Sequence, residues 1–311
     1  MLAIPNFSEG RDRVRIAAIG EALTRADGVR LLDVHSDPDH NRSVYTQTDG
    51  ARVGVGEGTA GQGAALADAL TAGAAAAVEL LDIASYEGLH PHVGTLDVAP
   101  IVYMDDADRG AACAQALVLA ERLGGELGIP VFLYGVLTEG RVTRAAIRRG
   151  GPPALQARID SGDLVPDFGP RRLHPRAGAA LVAARPPLIA FNVELAPPAT
   201  LATARLVAAL IREGGAEGLP AVRAIAVTLP HRDNVPQVSV NIDDYRQTGV
   251  AAVVHAITRH AVPLRGEVVG LPPRAAFDGF PAELPVAGLR YLEDALETSV
   301  ADGADDGALT D

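Results

Sequence analysis

The sequence has no lysine, a single cysteine, no long apolar run and no surplus of basic charge. All of its basic side chains apart from histidine are arginine, as a GC-rich coding sequence would produce, and no function is read from that. One cysteine, Cys113, excludes an intramolecular disulfide and a thiolate metal cage. It sits in the alanine-rich helical stretch Ala111–Arg122 with no activating neighbour in sequence, so it reads as a structural thiol. The apolar stretches are broken by charges or glycine well before membrane-spanning length, so no membrane association is expected. The first residues lack the basic and apolar regions of a signal peptide, and the chain reads as cytoplasmic. A net charge of −12 argues against general nucleic-acid affinity, which needs clustered cations to neutralise phosphates. With 48% hydrophobic and 21% charged residues in 311, the chain can bury one large core or two modest ones.

Periodicity suggests a doubled architecture. The first half reads as a strand at 2–5, a helix of about four turns capped by Ser8 with Ile16, Ile19 and Leu23 on one face, and strands at 29–34 and 43–48. A helix at 60–81, a strand at 95–104, a helix at 107–127 and a short strand at 131–134 follow. The second half repeats the order with strands at 187–195, 222–229, 237–242 and 267–269 and helices at 201–212 and 249–261. Two successive β-α-β-β-α-β units predict an α+β fold of two ferredoxin-like, split βαβ subdomains. The expected boundaries are 1–178 and 179–297, with 298–311 a disordered acidic tail. The Gly-, Pro- and Arg-rich stretch 150–176 reads as a long connection.

Three constellations are candidates for chemistry. Gly56-Glu57-Gly58-Thr59-Ala60-Gly61 matches a dinucleotide-binding fingerprint, but the buried parallel strand that should precede it is missing. His35, Asp37, Asp39 and His40 lie within six residues, and with His90 they offer the donor set of a metal-dependent hydrolase. Such a run is also what a turn between strands uses. The third is Gly88-Leu89-His90-Pro91-His92-Val93-Gly94. There Pro91 holds His90 extended, and Gly94 lets backbone approach a ligand.

Several ordered motifs accompany that histidine: Ile4-Pro5-Asn6-Phe7-Ser8-Glu9-Gly10, Leu31-Leu32-Asp33-Val34, Asn41-Arg42-Ser43-Val44-Tyr45, Ile129-Pro130-Val131-Phe132, Pro166-Asp167-Phe168-Gly169-Pro170, and Gln237-Val238-Ser239-Val240-Asn241. Together they resemble the formiminotransferase family, in particular its glutamate formimidoyltransferases, over roughly residues 3 to 272. The resemblance implies two subdomains whose sheets face each other around a substrate tunnel, and a homodimer. It also implies transfer of a formimino (or formyl) group between N-formiminoglutamate and tetrahydrofolate, with folate as co-substrate and no metal. It makes His90 the acid/base residue, a role imidazole suits at neutral pH. It places folate on Gly169, Pro170, Arg171, Arg172, Leu173, His174, Pro175, Arg176, Ala177 and Gly178. There the arginines would pair with carboxylates of a folate tail or of glutamate. Asn6, Ser8, His35, Asn41, Arg42, His92, Gly94 and Asp97 are the expected further substrate contacts. The chain departs from the family at Leu89, His92 and His35, where well-known members carry glutamate, arginine and aspartate. The amino-acid partner is therefore the open part of the reading.

Overall fold

The computed structural model of the chain describes residues 1–50 and 65–305. The glycine-rich run Gly56–Gly61 lies outside the described residues. The fold is mixed α+β, with two sheets in two compact units, Met1–Pro186 and Pro187–Asp311.

The first unit starts with β1 (Leu2–Ala3) and β2 (Asn6–Phe7), two pieces of one edge-to-edge run interrupted at Pro5. Both pieces pair antiparallel with β4 (Arg42–Thr48) on one side and β5 (Leu96–Val102) on the other. The strand β3 (Arg30–Asp37) pairs antiparallel with β4. Beyond β5, the strands β7 (Ala180–Arg185) and β6 (Val131–Leu133) are added in parallel. These pairings place the strand Ala180–Arg185 in the first unit, although a boundary at 178 would have given it to the second. Apolar residues alternate along these strands, so each face of the sheet acquires its own core. Ala180, Val182 and Ala184 face α1 (Arg13–Leu23), α2 (Ala65–Leu80) and α3 (Arg109–Gly125). Leu181, Ala183, Val98 and Phe132 face the opposite cluster with Ile147, Leu155 and Ile159.

The last two of those residues correct one expectation. Helix α4 (Arg144–Arg148) lies just before the stretch expected to be a long connection, and that stretch itself contains α5 (Gly151–Ser161). Its glycines and prolines punctuate helix ends: Gly150 and Gly162 take positive φ at the two caps, and prolines occupy the first turn of α5. Ser8 is not a helix cap either. Its N–H donates to the Thr95 carbonyl, so it still belongs to the sheet, and Asp12 caps α1 by accepting from the Val14 and Arg15 N–H groups.

The second unit contains β8 (Ile189–Leu195), α6 (Leu201–Ile211), β9 (Val222–Leu229), β10 (Val235–Ile242), α7 (Val250–Thr258), β11 (Pro263–Val269), β12 (Val286–Ala287) and α8 (Leu292–Asp305). The strand order is β12-β11-β8-β10-β9, antiparallel except for the β11–β12 pair. Ile189, Phe191, Val193 and Leu195 alternate into a core with Val207, Ile211, Val253 and Ile257 from the helices. The tail expected to be disordered from 298 instead carries helix to Asp305, continuing a segment anchored by buried Leu292 and Ala295. Residues 306–311 lie outside the described residues.

Candidate functional site

His90 is presented by the segment between a short turn at Ile83–Ser85 and β5. Gly94 fixes the end of that segment. A Cβ there would lie 1.9 Å from the Ala179 carbonyl oxygen, so only glycine allows the backbones to meet. The close approach is stitched by Thr95 N–H donating to Ala177 O and Ala179 N–H donating to Val93 O, both at 2.9 Å. The histidine segment and the end of the 169–178 loop are therefore one piece of structure. The loop folds on itself as well. The N–H groups of Arg176 and Ala177 donate to His174 Nδ1, and His174 and Gly178 exchange backbone hydrogen bonds.

Behind His90 lies a charge cluster built from four separate segments. Asp97, wholly buried at the start of β5, accepts from the Val93 N–H at 3.0 Å and from two guanidiniums. Arg42, first residue of β4, donates from Nη1 to Asp97 Oδ2 at 2.7 Å and from Nε to Asn6 Oδ1 at 2.8 Å. Arg148, last residue of α4, reaches the same carboxylate through Nη2 and Nε. Arg42 Nη1 also lies 2.9 Å from His90 Nδ1, which is 2.7 Å from the Pro91 carbonyl oxygen. Arg148 was not among the residues singled out from the sequence.

Electrostatics follow from this arrangement. Burial, then Arg42 and Arg148, push the His90 imidazole well below its ordinary value, and Asp97 only partly offsets them. The ring is neutral at neutral pH and able to accept a proton. Burial alone would raise the Asp97 carboxyl, but Arg148 and Arg42 hold it well below the usual carboxylate range. One carboxylate against two guanidiniums leaves net positive charge beside the imidazole, a setting that favours an anionic ligand group. His92 is lowered chiefly by burial, and its ring packs on Tyr86 at 4.2 Å between centroids.

The structure brings Asn6, Arg42, His90 and Asp97 together and gives other expected contacts architectural work. Ser8 Oγ donates to Gly94 O at 2.7 Å. Asn41, at φ 47°, accepts from the Gly10 N–H and donates to Glu87 O, bracing the turn before β4. Arg176 donates from Nη2 to the carbonyls of Glu79 and Leu81 at the end of α2. Arg171 and Arg172 are exposed. His35 lies within β3 rather than in a loop. The donor set of the metal reading is not assembled: among the described residues, no group of three or more His, Cys, Asp or Glu is placed to share an ion. Asp37 instead accepts from the His40 N–H as a turn residue.

The second unit carries a polar face that the sequence reading passed over. Asn192, Glu194 and Gln237 alternate with core residues on β8 and β10, and all three are buried. Glu194 accepts from Arg232 at 2.9 Å and Arg265 at 3.3 Å, and burial raises its carboxyl. The period-2 pattern was the available signal, since polar residues at alternate positions of a fully buried strand face something other than the core.

Comparison with known proteins matches residues 1–185 to the formiminotransferase domain, N-terminal subdomain. The chain is 36% identical to a glutamate formimidoyltransferase of Thermoplasma acidophilum, over 88% of each chain. It is 34% identical to a glutamate formimidoyltransferase of Streptococcus pyogenes, over 94% of this chain and 96% of the relative. A formimidoyltransferase-cyclodeaminase of Sus scrofa is 39% identical over 86% of this chain, which spans about half (48%) of that longer relative. Among the described residues, no helix is long and apolar enough to cross a membrane.

Proposed function

This chain belongs to the formiminotransferase family, and from that premise we propose that it transfers a formimino (or formyl) group between N-formiminoglutamate and tetrahydrofolate. The products are 5-formimino-tetrahydrofolate and glutamate. The observation that carries this reading is the neutral His90 imidazole held against the Arg42–Asp97–Arg148 cluster. Transfer needs one group that takes a proton from folate N5 as the N5–C bond forms. The same group returns it to the amino-acid nitrogen as the old C–N bond breaks. One imidazole does both without a covalent adduct or a metal. Holding the two reactants in register supplies much of the remaining acceleration.

The 169–178 loop is the proposed folate contact. Exposed Arg171 and Arg172 offer forks for the carboxylates of a folate tail, while Arg176 serves mainly to tie the loop to α2. The net positive charge at Arg42 and Arg148 suits the carboxylate of the amino acid. Leu89, exposed at 43%, and His92 are where specificity for another amino acid would be written. In each unit the four strands of the βαββαβ run lie in the order fourth, first, third, second, which supports the ferredoxin-like reading of both. A homodimer is part of the same proposal.

The direct test replaces His90. His90→Ala should keep affinity for tetrahydrofolate while turnover falls about 10²- to 10⁴-fold. Unchanged formation of 5-formimino-tetrahydrofolate would refute the assigned role.

A further inference from the structure

His90 Nδ1 has two neighbours, and it can satisfy only one of them. Arg42 Nη1, at 2.9 Å, can only donate, and the Pro91 carbonyl oxygen, at 2.7 Å, can only accept. A neutral imidazole carries one proton. With that proton on Nε2, the bare Nδ1 accepts from Arg42. With it on Nδ1, the ring donates to Pro91 and presents an N–H to a guanidinium.

What each neighbour loses decides between them. The Arg42 side chain is only 10% exposed and is already fixed by Asn6 and Asp97, so water cannot readily replace a lost acceptor at Nη1. Pro91 is exposed, and water can satisfy its carbonyl. A hydrogen bond with an ionised donor is also roughly twice as strong as a neutral one. Both considerations put the ring proton on Nε2 in the ligand-free protein.

That form cannot begin the transfer. A neutral imidazole that gives up its only proton becomes an imidazolate, so His90 must accept a proton before it donates one. It can accept from folate N5 only at a bare Nε2, which requires the ring proton on Nδ1. We propose that Arg42 is a positioning residue that parks His90 as the Nε2–H tautomer, and that the carboxylate of the amino-acid substrate releases it by taking the Arg42 Nη1–H. On release the ring loses its Nε2 proton to water and takes one from water at Nδ1, where Pro91 accepts it. No net proton is gained or lost. Nε2 then receives the N5 proton, giving an imidazolium whose Nδ1–H still rests on Pro91, and passes it to the departing nitrogen. The parking step stands on the free protein alone, whereas the release step rests on the transferase reading above.

Two-bond ¹H–¹⁵N NMR of the full ¹⁵N-labelled chain reads the tautomer directly, with the His90 signal assigned by its loss in His90→Gln. The free protein should show His90 predominantly as Nε2–H, and saturating glutamate should convert it to Nδ1–H, while glutaramide, which lacks carboxylates, should not. Arg42→Met should show Nδ1–H without any ligand, and Arg42→Lys, which keeps a charged donor, should retain Nε2–H. Predominant Nδ1–H in the free wild-type protein would overturn the proposal, as would an Nε2–H signal in a folded Arg42→Met chain. If that variant does not fold, the wild-type spectra with and without glutamate decide the question. Perturbation of other signals by glutamate with no change at His90 would overturn release. No perturbation anywhere would overturn glutamate as the substrate, and leave parking to be judged on the free spectrum.

Discussion

Asp97 has no exposed surface, and two arginines converge on it, so its charge is tolerable only while both remain. Asp97→Asn leaves two nearly buried guanidiniums short of a counter-charge and should cost about 3–5 kcal/mol in urea denaturation. The carboxyl is depressed in the folded state, so its contribution is full above the ordinary carboxylate value of about 3.9. It is lost as pH falls from there toward the folded value. The difference between wild type and Asp97→Asn should therefore shrink below about pH 4; a constant difference would contradict the depression. For His90, burial and the two arginines favour the neutral ring, so the acid limb of kcat/KM should lie well below pH 6.5. A limb at the ordinary histidine value would contradict that electrostatic account. His90, Arg42 and Asp97 were legible in the sequence because each lies in a distinctive short motif. Arg148 was not, since it reaches Asp97 from 51 residues away at the end of a five-residue helix, and no local pattern announces such a contact.

At the scale of elements, the site depends on a glycine, Gly94, where backbones touch. A Cβ on Gly94 would meet Ala179 O at 1.9 Å and Ala177 O at 2.6 Å, and both are backbone atoms that cannot swing aside. Gly94→Ala should destabilise the chain by about 2–3 kcal/mol and lower turnover by displacing the His90 segment. Thermal unfolding and the transferase assay check the two effects, and unchanged stability would show that the close approach is not required. The strands β8 and β10 were readable from period-2 alternation because their buried apolar residues sit at every second position, whereas β5 and β7, covered on both faces, read as short apolar runs. The helix α5 was not readable, since its Gly and Pro residues are conspicuous while only Leu155 and Ile159 are buried, and α4 is a five-residue helix with one buried side chain, Ile147. A weak apolar stripe loses to strong punctuation when residues are read locally. The Ser8 cap failed for a related reason: a serine can bond a neighbouring segment as well as a helix N-terminus, and the sequence does not say which is near.

The whole molecule divides into two units with separate cores, and the His90 cluster lies entirely within the first. The doubled βαββαβ order was visible in the sequence because each element carries its own periodicity. The division at Pro186 was not, because β7 follows the connecting stretch yet pairs back with β5 and β6. Sedimentation equilibrium should give twice the 32.1 kDa chain mass if the chain works as a homodimer, and the single-chain mass would contradict it. Purified protein mixed with tetrahydrofolate and N-formiminoglutamate should form 5-formimino-tetrahydrofolate and free glutamate in equal amounts, at a rate that collapses in His90→Ala. Binding of both compounds with no transfer by the wild-type protein would contradict the proposed reaction.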